Sequence, residues 1–129
     1  MKLLLDTHVF LWMATEPERL GGALAVLEKP ANDLLLSAAS TWELAVKVSI
    51  GRLVLPEPVS SYVTSRMHAL AVHGLGVEHL HAAAVEALPM HHRDPFDRLL
   101  VAQAQAIGAT FVTVDAAVGA YDVPILWAR

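Results

Sequence analysis

Short apolar runs that alternate with stretches of helical spacing constrain this chain more than any other feature. Lys2 to Leu5 is too short for a helix and suits a buried strand, and it stops at Asp6. Asp33 to Ser37 (DLLLS) reads the same way. Thr110 to Val114 (TFVTV) is β-branched and meets Asp115, and Pro124 to Trp127 is a last brief strand. Between these runs, helical patterns cover His8 to Ala14, Leu20 to Lys29 and Ser40 to Ile50. Others run from Pro56–Pro58 to about Val72, from Glu78 to Ala87, and from Asp94–Pro95 to about Ile107. Gly51 and Gly108 stand where helix ends favour glycine, and His73 to Val77 reads as a turn or short strand. Strands separated by helices imply right-handed crossovers. The expected fold is α/β, one domain over residues 1–129, with a central parallel sheet of four to five strands and helices on both faces.

In such a sheet, ligands collect at the carboxyl ends of the strands, and there the acids fall. Asp6 and Asp115 follow strands, Glu43 lies in the first helical turn after DLLLS, and Asp97 lies in the first turn of the long helix. Each has an ordinary explanation. Asp6 and Asp115 are in place to cap helices. Ser40 to Glu43 matches a capping box. Asp94 precedes a proline at the first helical position, as a cap should. Together the four acids converge on one side of a parallel sheet, where mutual repulsion raises carboxyl pKa values and disfavours folding. A divalent cation relieves that repulsion. Oxygen ligands favour Mg²⁺, with Mn²⁺ second, and point to hydrolysis of a phosphate ester.

The segments MKLLLDTHVFLW, SAASTWELAVKVSIGRL, HHRDPFDRLLVAQA and FVTVDAAVGAY, in that order, resemble the PIN domain, and within it the VapC-type toxins of bacterial toxin–antitoxin pairs. The resemblance spans nearly the whole chain. It implies a Mg²⁺-dependent endoribonuclease held in check by a cognate VapB-like antitoxin, with RNA as substrate and a homodimer as the expected assembly. It places the catalytic, metal-binding acids at Asp6, Glu43, Asp97 and Asp115. It uses the second Asp of DPFDR, which leaves Asp94 as a cap, and it matches Thr113 to a small hydroxyl that orients a ligand or water.

The chain carries 13 acids, 9 Lys plus Arg, 7 His and no Cys, for a formal charge of −4. With 55% apolar residues it is neither disordered nor a solvated linker. The lack of Cys excludes disulfides and thiol chemistry. No apolar run reaches the roughly 18 residues that cross a bilayer, and MKLLLD does not read as a signal peptide, so a cytoplasmic location is expected. Setting the four acids aside leaves nine acids against nine Lys and Arg, so the excess negative charge resides in the site itself. Lys47 follows Glu43 by one helical turn, as an ordinary ion pair or as a phosphate contact. Arg52, Arg93 and Arg98 are candidate contacts to phosphate or to the antitoxin.

The histidines are not expected to bind metal. His91 and His92 are adjacent and point apart on regular structure, and no HExxH spacing occurs. Phe10, Trp12 and Trp42 offer rings for base stacking or for the core. Val9, Phe10, Leu11, Trp12 and Leu24 suggest either an antitoxin docking surface or buried packing. Two other readings stay open. One is a phosphatase with Asp6 as covalent nucleophile, although such enzymes place a second acid two residues on and here that residue is His8. The other is a non-catalytic metal-binding interaction module.

Overall fold

A computed structural model describes residues 1–129. Its five strands are β1 (Lys2–Leu5), β2 (Asp33–Ser37), β3 (Val72–Leu75), β4 (Thr110–Thr113) and β5 (Ile125–Trp127). All pair in parallel, in the order β3-β2-β1-β4-β5. Six helices connect them: α1 (Thr7–Thr15), α2 (Ala23–Leu27), α3 (Ala38–Ser49), α4 (Val59–Ala69), α5 (His79–Ala84) and α6 (Pro95–Ile107). None is long and apolar enough to cross a membrane.

Side-chain alternation along each strand divides the interior in two. Leu3, Leu5, Leu34, Leu36 and Val112 enter one core with Phe10, Leu20, Leu44 and Tyr62. Leu4 and Phe111 enter the other with Leu100, Val101 and Ala104 of α6. Each fully buried leucine contributes about 1.5–3 kcal/mol relative to exposure, so a one-residue slip in register would exchange the two cores. Val9 and Phe10 are wholly buried, and Leu11, Trp12 and Leu24 pack partly against the same cluster. These residues belong mainly to the core, not to a docking face.

Several sequence expectations shift. The helix expected over Leu20 to Lys29 is a 3₁₀ turn, Pro17–Leu20, followed by the shorter α2. Gly21 separates them at φ +53°, and a Cβ there would come within 2.3 Å of the Arg129 carbonyl carbon. The close approach of the chain terminus therefore requires glycine and ends the helical path. The helix beginning near Pro58 stops at Ala69, and Val72 opens β3 as an edge strand. At the other end of the chain the expectations hold. Asp94 caps α6, and Gly108 closes it in the left-handed conformation at φ +67°.

A cleft of about 480 Å³ opens near the amino ends of β2 and β3, between Leu24, Leu27, Asp33 and Ala71. The acids lie at the opposite end of the sheet.

Candidate metal centre

The strand order reverses between β1 and β4, since the chain builds outward from β1 in one direction and then returns to its other side. A crevice at that switch point is where parallel sheets place their sites. Asp6 leaves β1 and Asp115 leaves β4 on either side of it. Thr113, fully buried at the end of β4, joins the two: its hydroxyl donates to Asp6 Oδ2 at 2.8 Å and accepts from the Asp115 N–H at 3.1 Å.

Asp6 stands at the position preceding α1 but makes no capping hydrogen bond. The carboxylate is 4% exposed and turned to the interior. Nor does Ser40 cap α3. The helix begins earlier, and Ser37 caps it by accepting the Ala39 N–H at 3.0 Å. That shift by one turn moves Glu43 from a capping box into the second turn, where it is buried. Thr7 Oγ1 donates to Glu43 Oε1 at 2.7 Å and also lies 2.9 Å from Ser40 Oγ. Lys47 Nζ lies 2.8 Å from Glu43 Oε2, so the i,i+4 pair expected from the sequence forms and both oxygens of Glu43 have partners.

Asp97 reaches the crevice from the first turn of α6. Asp94 Oδ1 accepts the N–H groups of Phe96 at 2.8 Å and Asp97 at 3.3 Å. Asp94 therefore serves the backbone and leaves Asp97 free to face inward. Asp115 does both jobs: Oδ1 accepts the Ala117 N–H at 3.0 Å, while Oδ2 faces the crevice.

Between Asp97 and Asp115 stands a residue that the sequence reading discounted. His92 Nε2 lies 2.9 Å from Asp97 Oδ2 and 2.8 Å from Asp115 Oδ2. Ligand atoms of these three residues all lie within 4.8 Å of one another. Asp6 and Glu43 sit deeper and outside this triplet. Adjacency to His91 argued against His92 only on regular structure, and residues 88–94 form a loop. There His91 packs edge-on against Tyr121, ring centres 5.0 Å apart, while His92 turns to the acids. The available signal was the placement of HH just before RDPFD.

Arg98, expected as a contact to phosphate or antitoxin, is instead buried. Its guanidinium donates to the carbonyls of Pro89 at 2.9 Å, Val85 at 3.1 Å and Leu88 at 3.4 Å, and to the Tyr121 hydroxyl at 3.1 Å. The same hydroxyl accepts the His92 N–H at 3.1 Å. Arg98 thus fixes the loop that presents His92. Arg52 and Arg93 are exposed. Phe10 is core, Trp12 is half-buried beneath Arg19, and Trp42 is 60% exposed with its ring edge-on to Phe96.

The electrostatics record convergence. Burial pushes the Asp97 carboxyl up to about 7, and the charges of Asp6, Asp94 and Glu43 add to the rise against an opposing pull from His92. Asp6 is also raised, chiefly by burial and further by Glu43, although the Thr113 hydroxyl and His8 act the other way. Burial lowers the His92 pKa, but the hydrogen bond and charge of Asp115, joined by Asp97, outweigh it and leave the imidazole raised. Asp6, Glu43 and Asp97, from three distant stretches of chain, therefore meet electrostatically across one crevice, and Asp115 joins them through His92. Repulsion of this kind favours either protons or a divalent cation. The donors present, carboxylate oxygens with one imidazole nitrogen, fit such an ion.

Comparison with known proteins agrees with the four sequence segments. Residues 3–124 match the PIN domain. The chain is 37% identical over 114 residues to Ribonuclease VapC22 of Mycobacterium tuberculosis, a match covering 88% of this chain and 86% of that protein. A shorter stretch, 44% identical over 59 residues, covers 46% of this chain and only 42% of Ribonuclease VapC16 from the same organism. Among solved structures, DNA-bound VapBC from Salmonella typhimurium superposes with a TM-score of 0.73 at 15% identity, over 100% of this chain and 99% of that one. VapBC2 from Rickettsia felis, bound to a promoter DNA fragment, gives 0.72 at 17% identity with both chains fully covered. At these identities the structural likeness is one of fold.

Proposed function

Because this chain belongs to the PIN domain family, we propose that it is a metal-dependent endoribonuclease and the toxin of a toxin–antitoxin pair. The observation that carries the reading is the meeting of Asp6, Glu43, Asp97 and Asp115 at the switch point, with Asp97 pushed up to about 7. In this reading Asp6, Asp97 and Asp115 hold Mg²⁺ or Mn²⁺, and Glu43 completes the acidic set. When bound, the ion supplies positive charge that acidifies an attacking water and offsets charge building on the phosphate oxygens.

The remaining groups position. Thr113 holds Asp6 and the backbone of Asp115 in fixed relation, so the donors on the two sides of the crevice cannot drift apart. Asp94 orders the first turn of α6 and with it the direction of Asp97. Lys47 and Arg52 share a cleft of about 320 Å³ with Thr7 and His8 on the flank of Glu43. There they supply positive charge for the phosphodiester backbone of RNA, which an acidic protein needs close to its site. A single-stranded substrate allows the chain to bend a scissile phosphate toward the crevice. The names of VapC22 and VapC16 support ribonuclease activity, and the VapBC assemblies support a VapB-like antitoxin as partner.

The test is RNA cleavage by purified Asp97→Asn and Asp94→Ala proteins in Mg²⁺ or Mn²⁺, with folding checked by circular dichroism. Asp97→Asn is expected to lose more than about 100-fold in rate, beyond the 10–100-fold usual for groups that only support metal ligands. Asp94→Ala is expected to cost about 1 kcal/mol of stability as a lost cap while cleaving RNA. Parental cleavage by folded Asp97→Asn would overturn the reading.

A further inference from the structure

We propose that His92 is itself a metal ligand, giving Nε2 to the ion beside Asp97 and Asp115, so that the centre prefers Mn²⁺ to Mg²⁺. The inference rests on the metal-centre reading above and extends it to a residue outside the acidic set. One ring nitrogen lies nearly equidistant from two carboxylate oxygens, at 2.9 and 2.8 Å. A single N–H serves both only as a bent, shared bond, and hydrogen bonds weaken steeply away from linearity. Three donor atoms around a common centre have no such conflict. Neighbouring ligands of an octahedral ion with bonds near 2.1 Å stand about 3 Å apart, close to both distances from His92 Nε2.

The loop that carries the ring is also held in place. The His92 backbone is tied to the Tyr121 hydroxyl, Tyr121 to Arg98, and Arg98 to the loop carbonyls of Leu88 and Pro89 and to that of Val85 just before them. Ligation through Nε2 requires the ring proton on Nδ1. The contact that Nδ1 now accepts, from the Asp94 N–H, is 3.4 Å long, so exchanging it gives up little. An imidazole nitrogen suits first-row transition ions, whereas Mg²⁺ favours oxygen and retains its waters. The six other histidines form no comparable group with acids.

The experiment uses Mn²⁺ and Mg²⁺ as probes on the parent, His92→Gln and His92→Ala proteins. Affinities come from calorimetry, and electron spin-echo spectra of the Mn²⁺-loaded proteins report nitrogen coupling. Folding is monitored by circular dichroism. The parent is expected to show directly bound nitrogen that both variants lack. Mn²⁺ affinity should fall at least ~10-fold in both variants, while Mg²⁺ affinity changes by less than about threefold. A parent that binds Mn²⁺ without nitrogen coupling would overturn the assignment of His92 alone. So would variants that bind both ions more tightly, since His92 would then compete with the ion. A folded parent that binds neither ion would overturn the metal centre and His92 with it.

Discussion

The two halves of the crevice are built differently. The inner half, Asp6 with Thr113 and Glu43 with Thr7, Ser40 and Lys47, grows directly out of strand ends and the start of α3. Apart from Lys47 its members are buried, and they pair through hydrogen bonds between β4 and the end of β1 and between α1 and α3. The outer half, His92, Asp97 and Asp115, is partly open, and one of its three residues rides on a loop. The inner half inherits precision from the sheet, because strand register fixes its donors to within the tolerance of the core. The outer half depends on two buried side chains, Arg98 and Tyr121, to order the loop. Rigidity at the switch point and adaptability at the rim suit a site that grips an ion and admits a flexible polymer.

That contrast can be broken from either side. The largest effect is expected from Arg98→Ala, which removes charge-assisted hydrogen bonds to four acceptors, two of them carbonyls of the loop. Stability should fall by about 2–4 kcal/mol in urea denaturation. Arg98→Lys should recover only part of it, because an ammonium lacks the planar fork. The inner half should be affected less: in nuclear magnetic resonance spectra the amide shifts of Asp6 and Thr113 should move less than those of His92 and Asp115. Equal movement in both halves would show that the loop and the strand ends are one unit.

Thr113→Val attacks the inner half. The isosteric change leaves the shape but deprives Asp6 of its donor and the Asp115 N–H of its acceptor. A loss of about 1–2 kcal/mol is expected, with Mn²⁺ affinity reduced about 10–100-fold by calorimetry. Thr113→Ser should retain most of both. Unchanged metal affinity in a folded Thr113→Val protein would remove the hydroxyl from the account.

The smallest effect per step is on pH dependence, and it sharpens the comparison because both halves contribute with one sign. Asp97 is raised from 3.8 to about 7 in the folded protein, and Asp6 is raised as well. Between these values the folded state holds protons that the unfolded chain has released. His92, raised above its ordinary 6.5, extends the same imbalance upward. Stability contributed by these protons is complete below about pH 4 and is lost as pH climbs through about 7. In EDTA, unfolding free energy should therefore decline across that interval, and added Mn²⁺ should flatten the decline. Identical slopes with and without the ion would contradict electrostatic convergence.

Much of this was legible in the residues. The strand runs, the alternation with helices and the acids at strand ends are local patterns, and each maps onto the fold because apolar period and capping act over a few residues. Asp94 and Gly108 mark the ends of α6 where cap chemistry says they should. The misplaced features were non-local. Ser37 rather than Ser40 caps α3 because β2 runs directly into the helix, and a strand's stopping point is set by its neighbours. The break at Gly21 answers to Arg129, more than a hundred residues away in sequence. Arg98 is buried among the carbonyls of Val85, Leu88 and Pro89, and Tyr121, far along the chain, ties it to the His92 backbone. No spacing rule reports contacts of that kind.

The most direct measurement is a crystal of the protein grown with Mn²⁺ and recorded at the manganese absorption edge. One or two anomalous peaks within bonding distance of Asp97 and Asp115, on the side facing Asp6, are expected. A map with no peak there, or with manganese bound only to surface carboxylates elsewhere, would contradict the account.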